Sequence, residues 1–250
     1  MPGILRDMNT TPTFRWLVRG AGLVGLIGAV VAWAYLSFPI LAADPKPNED
    51  GVKPLGKNVF IEVKDKKGVR VIVKAVVVLR EGQLEGLLTI KNTKEHEYIL
   101  GAEVDARLIH AGLLACGAKP GSPVRFDGDK YIPASGDPIK VSLRYEKKGK
   151  TITVPAQEWI LDSKSKKPLA QDWVFAGSRF APAEEKGKPD KYMANFGDVI
   201  CLCNMDLAML DLPVRSPTGL ESRIFSARTD EIPEKGTKVD VIFEVDKKKK

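Results

Sequence analysis

Residues 21–43 constrain this chain more than any other stretch. Ala21 to Leu36 reads AGLVGLIGAVVAWAYL with no charge; Ser37 and Pro39 interrupt the run and Ile40 to Ala43 continue it, for 23 mainly apolar residues. About 20 such residues span the hydrocarbon of a bilayer as a helix. Arg6, Arg15 and Arg19 precede the stretch, and Asp44, Glu49 and Asp50 follow it. Charges are costly in hydrocarbon, and the basic flank is the one that stays in the cytoplasm. The pattern predicts a single pass, with residues 1–20 cytoplasmic and everything after residue 43 extracytoplasmic. It also fits a secretory signal cut after Ala43, with Pro39 breaking the helix just before the site, which would release a secreted or periplasmic protein. Leu41 at the third position before that cut is a poor match to the small-x-small rule, which favours the anchor.

Residues 44–57 (DPKPNEDGVKPLGK) are rich in Pro and charge and read as a linker. The formal charge of +7 invites a nucleic-acid reading, but its distribution argues against one. The first 43 residues carry a net +2 and the tail Lys247–Lys250 a further +4, leaving 44–246 at +1. No basic stripe with interleaved aromatics is present, so no nucleic-acid partner is expected. The lysine tail reads as a solvated end.

The body, 58–246, alternates short strand-like runs with turn signals. Strands are expected at 58–63, 69–80, 84–90, 139–146, 150–154, 173–178, 198–203 and 238–245. Gly68 and the Lys147-Lys148-Gly149 run mark two hairpin turns. One helix is expected at 103–116. It gathers Val104, Leu108, Ile109, Gly112, Ala115 and Cys116 on one face, with Gly117 as its C-cap and Pro120 just beyond. A second, short helix is expected at 206–210. These elements predict an α+β domain, a mainly antiparallel sheet with one principal packed helix, preceded by the N-terminal membrane or signal helix. The 22 residues from Gly117 to Pro138 hold four Gly and four Pro and read as a long loop. Loops of that length in compact domains are often functional.

Few residues point to chemistry. The two histidines are His96, in Lys94-Glu95-His96-Glu97, and His110, in the helix. Two imidazoles with a carboxylate from Glu95 or Glu97 would suit a transition metal or acid–base work, although the spacing matches no specific signature. Read structurally, His96 is a turn residue paired with a Glu and His110 a half-buried hydrogen-bonding group. Cys116, Cys201 and Cys203 are an odd set. Cys201 and Cys203 share one face of a strand, too far apart for an easy bridge. They read as buried inert thiols, with thiol redox chemistry as the alternative. Ser178 follows Gly177 outside any nucleophile-elbow pattern.

The runs Lys94-Glu95-His96-Glu97, Leu108-Ile109-His110-Ala111-Gly112-Leu113-Leu114, and Gly117-Ala118-Lys119-Pro120-Gly121 resemble the YdjY-domain family. So do Gly136-Asp137-Pro138, Trp173-Val174-Phe175-Ala176-Gly177-Ser178, Gly197-Asp198-Val199-Ile200, and Pro233 with Gly236-Thr237, over about residues 60–245. The resemblance implies an exported or membrane-attached protein and no particular reaction. It draws attention to His96, Glu97 and His110, which lie inside its motifs. Some members carry a ferredoxin-like label, but this chain lacks the closely spaced cysteines an iron–sulfur cluster needs.

The sequence thus favours a membrane-tethered domain that binds a protein or ligand outside the cytoplasm. A metal-dependent or acid–base enzyme centred on His96, Glu97 and His110 is the alternative, and a thiol redox protein using Cys201 and Cys203 a further one.

Overall fold

The computed structural model describes residues 51–64, 68–183, 187–217 and 224–246. The expected membrane span at 21–43, the cut after Ala43 and the Lys247–Lys250 tail lie outside the described residues. Among the described residues, no helix is long and apolar enough to cross a membrane.

Eleven strands carry the architecture: β1 (Val52–Gly56), β2 (Val59–Lys64), β3 (Gly68–Val77), β4 (Gly86–Ile90), β5 (Tyr98–Ala102), β6 (Pro138–Lys147), β7 (Lys150–Pro155), β8 (Trp173–Phe175), β9 (Ile200–Cys201), β10 (Leu210–Asp211) and β11 (Lys238–Val245). Hydrogen bonding runs β3–β11–β6–β8–β10–β9–β4–β5 and returns from β5 to β3, closing eight strands into a barrel. β1 and β2 extend the sheet from β3, and β7 extends it from β6. The expected α+β sheet with a packed helix is therefore corrected: the domain is mostly β, a closed barrel with extra strands and, among the described residues, one α-helix. Closure pairs the eight barrel strands with one another, and the sheet edges among the described residues fall on the added strands β1 and β7.

The longest pairings follow from side-chain alternation. In β6, Ile139, Val141, Leu143 and Tyr145 turn into the core while Lys140, Ser142 and Arg144 face out. β6 pairs with β11 from Ile139↔Val245 to Tyr145↔Val239, and β11 with β3 from Lys238↔Val76 to Phe243↔Val71. Lys148 and Gly149, both at positive φ (52° and 73°), form the two-residue turn joining β6 to β7, as the hairpin signal predicts. β1 lies in the stretch expected as linker, where Val52–Gly56 pair antiparallel with β2.

The closing strands are short. β4 and β5 are parallel, Leu88 opposite Leu100, with only residues 91–97 between them. β5 then pairs with β3 through Val76↔Gly101 and Val77↔Leu100. β9 and β10 are also parallel, meeting at Ile200↔Leu210. The helix expected at 206–210 is not formed; that segment turns at 206–207 and enters β10.

The helix α1 (Ala106–Ala115) starts at Asp105, whose carboxylate accepts the Arg107 N–H, and buries Ala106, Ile109, Gly112 and Leu113. A side chain at Gly112 would press to 2.8 Å from Val71 and 3.0 Å from Leu55, so glycine sets how closely α1 packs on β1 and β3. Gly117 N–H donates to Leu114 O and Ala118 N–H to Leu113 O, the paired bonds of a helix closed by a left-handed glycine.

Candidate functional site

Three clusters hold the residues with chemical potential: a polar knot inside the barrel, an aromatic group around His110, and a cleft beneath the long loop.

The knot joins two motifs distant in the chain. Lys94, in the connection between β4 and β5, places Nζ 2.8 Å from Oδ1 of Asp198, just before β9. Tyr98 donates its hydroxyl to the same oxygen at 2.9 Å and lies 3.6 Å from Cys201 Sγ. Burial disfavours the Lys94 ammonium, but the bond to Asp198 and its charge outweigh this and hold its pKa above the usual value. Burial pushes the Tyr98 hydroxyl and the Cys201 thiol well up, and the Asp198 charge adds to both. Trp173, from a third motif, donates its indole N–H to Cys201 O at 2.7 Å. The knot is a fastening of β8, β9 and β5 rather than an open site: Tyr98, Trp173 and Cys201 are wholly buried.

Beside it, Asp211 in β10 is also wholly buried. Its Oδ1 accepts the Leu212 N–H at 2.8 Å and the Asn204 side-chain amide at 3.4 Å, while Oδ2 and the buried Ser216 Oγ have no hydrogen-bond partner. Burial raises this carboxyl from 3.8 to about 7 against the bonds from Leu212, Asn204 and the Met205 backbone N–H, and the nearby Asp198 charge adds to the rise.

The structure gives the two histidines separate surroundings. His96 is exposed in the β4–β5 connection, with Nε2 3.7 Å from Glu97 Oε2. Glu95 leans instead over Gly101. His110 is half-buried, with its ring edge-on to Phe175 at 4.8 Å and to Tyr192 at 5.6 Å. Tyr192 donates its hydroxyl to Gly177 O at 3.0 Å, so its oxygen accepts from His110 Nδ1–H at 2.8 Å. That places the proton of the neutral ring on Nδ1. Burial lowers the His110 pKa, and the Gly177 carbonyl partly offsets this. Among the described residues, no group of three or more His, Cys, Asp or Glu is placed to hold a metal.

None of Cys116, Cys201 and Cys203 forms a disulfide. Cys201 and Cys203 are fully buried with different neighbours, Tyr98 for Cys201 and the Leu84 carbonyl for Cys203. The N–H groups of Leu202 and Cys203 both donate to Glu85 O, so the chain leaves regular strand geometry at Leu202. Burial lifts the half-buried Cys116 thiol to about 11. Ser178 sits at φ 55° and donates its hydroxyl to Leu207 O at 2.6 Å, which makes it a loop clasp.

The 117–138 loop is an ordered arm. Pro120–Ser122 pair with Ser135–Gly136 as its stalk, and Arg125–Asp127 pair with Lys130–Ile132 as its tip. Asp137 fixes the base: its Oδ2 accepts the Lys119 N–H at 2.8 Å and its carbonyl accepts the Phe175 N–H at 2.9 Å. At the tip, Tyr131 donates to Asn204 Oδ1 at 3.1 Å. Between the arm and the 204–206 loop lies a cleft of about 610 Å³, lined by Ser122–Phe126, Arg179 and Asn204–Asp206. The loop stands out in the sequence by its length, whereas Arg125, Phe126, Arg179 and Asn204 lie in no pattern and Asp211 gains its significance only from burial.

The family model for the YdjY domain matches residues 61–244, and the chain belongs to that family. The match starts in β2 and ends in β11, enclosing the whole barrel. No curated protein and no solved structure matches the chain.

Proposed function

We propose that this YdjY-domain chain is a membrane-tethered binding protein. On this reading residues 21–43 hold the barrel outside the cytoplasm, and a ligand enters beneath the 120–136 arm. The observation that carries the reading is the cleft, whose volume of about 610 Å³ falls within the range of small-molecule sites. An exposed aromatic, Phe126, stands at its mouth. The alternative centred on His96, Glu97 and His110 draws less support, because the two rings keep different partners. Thiol chemistry at Cys201 and Cys203 draws less still, since both are buried.

The test uses the full chain in its own membrane, with a photo-crosslinking benzoyl-phenylalanine at position 126 or, as control, at the exposed Phe196. A discrete adduct from 126 and none from 196 is expected. No adduct, or the same adducts from both, would sink the cleft reading. Protease added to the extracytoplasmic face should digest the domain; protection would reverse the topology.

A further inference from the structure

We propose that the cleft under the arm takes a small amphipathic anion, a carboxylate or similar group on an apolar stem. This rests on the binding reading above and names the chemistry of its ligand.

The charged part of the lining is two guanidiniums against one carboxylate. Arg125 Nη1 donates to Ser122 Oγ at 2.9 Å, and Arg179 Nη2 pairs with Asp206 Oδ2 at 3.0 Å. Asp206 offsets one charge, which leaves the lining net positive. Arg215 lies 5.7 Å over the Tyr131 ring outside the lining, and there the charge of Asp211 opposes it, so the excess rests on Arg125 and Arg179. A guanidinium carries five N–H donors in a planar fork, so each arginine retains donors suited to a two-oxygen acceptor.

The remainder of the lining is apolar: Pro123, Val124, Phe126 and Met205. Phe126 is 62 % exposed, yet its ring is held edge-on to Tyr131 at 5.8 Å. A ring already fixed in place loses less freedom when a ligand covers it. Positive forks beside a fixed apolar wall match an anion with an apolar body.

Other surfaces carry less. A groove of about 680 Å³ outside the barrel is rich in charge, but its Lys74 and Arg144 both pair with Asp240, at 2.6 and 2.8 Å. Asp211 and Ser216 have unpartnered oxygens but are wholly enclosed. His110 and Tyr192 already satisfy one another.

Hexanoate and its uncharged counterpart 1-hexanol serve as probes, with the full chain in lipid nanodiscs. Binding is read by saturation-transfer NMR, and empty nanodiscs are subtracted. Hexanoate should bind more tightly than hexanol, and Arg125→Gln should weaken hexanoate about tenfold while leaving hexanol unchanged. Arg125→Lys, which keeps the charge and loses the fork, should fall between the two. Arg125 is exposed, so an unchanged melting curve checks the fold. Hexanol binding as tightly as hexanoate, with both weakened by Phe126→Ala, overturns the anion assignment and leaves the cleft reading standing. Binding of neither probe, or binding indifferent to Phe126→Ala, overturns both.

Discussion

Replacing Asp211 by Asn should remove a specific slope from the pH dependence of stability. Burial raises the Asp211 carboxyl from an ordinary 3.8 to about 7 in the folded barrel. Between those values the folded state holds a proton that the unfolded state has released. Stability therefore falls as pH rises, by about 1.4 kcal/mol per pH unit. The contribution is fully favourable below 3.8, declines up to about 7, and is flat above it. From pH 5 to pH 8 this one group should account for about 3 kcal/mol of lost stability. Asn keeps an acceptor for the Leu212 N–H and places a neutral amide where Oδ2 has no partner. Urea unfolding of the wild type and Asp211→Asn at pH 5, 6, 7 and 8 gives the double difference directly. Other shifted groups, such as Asp105, which bonds from Arg107 and Asn195 hold at about 2 despite its partial burial, are common to both proteins and cancel. The variant should gain about 3 kcal/mol on the wild type across that range, or about 6–12 °C in melting temperature for a domain of this size. Two curves parallel to within about 1 kcal/mol from pH 5 to pH 8 would refute the reasoning. Asp211 would then either be ionised throughout with donors supplied by solvent, or be open to water.

Two other consequences are directly measurable. Lys94→Met takes the cation from Asp198 and leaves it the Tyr98 hydroxyl and the Cys201 thiol, and it should cost about 3 kcal/mol in urea unfolding, at the low end for a broken buried pair because Lys94 is 30 % exposed; a second change, Asp198→Asn, should recover part of it, and a loss under about 1 kcal/mol would show that the pair is solvated. A thiol reagent at pH 8 should leave Cys201 and Cys203 unmodified in the native protein and reach Cys116 only slowly, given its thiol at about 11; rapid native labelling of Cys201 or Cys203 would show that the barrel opens there.

What the sequence made legible, and what it hid, divides along one physical line. The long pairings β2–β3, β3–β11, β11–β6 and β6–β7 rest on alternation or β-branched runs and on turn residues, signals that lie within the strand itself. Their strands, the β2–β3 and β6–β7 hairpins, and α1 with its glycine cap are legible to within a few residues; which strands β11 lies between is not. β5 and β10 carry no such signal. Tyr98–Ala102 is buried along its whole length, so it does not alternate, and it runs parallel to β4 after a connection of only residues 91–97. A parallel pair ordinarily needs a crossover of a dozen or more residues, so the pattern suggests a turn there rather than another strand. Leu210–Asp211 is two residues long, and Leu210 falls at the end of the helix that the sequence suggests at 206–210. Yet these two strands convert an open sheet into a barrel, and they carry buried polar groups: Tyr98 and Asp211 sit on them, and Lys94 lies in the connection leading into β5. The candidate site was hidden for the same reason. His96 and His110 stand out by residue type, but a site is made by what closure brings together. Closure places Asp211 behind Asn204, and Asn204 beneath the tip of the arm. The arm could be identified as unusual from its length and its glycines and prolines. That it folds back over the 204–206 loop follows from the register of β8, which sets Phe175 against Asp137 at the base of the arm. Local pattern determines the strands, and the non-local pairings that close the barrel determine the cleft. A change that loosens β5 or β10, such as Lys94→Met, should therefore disturb the cleft without touching a residue that lines it.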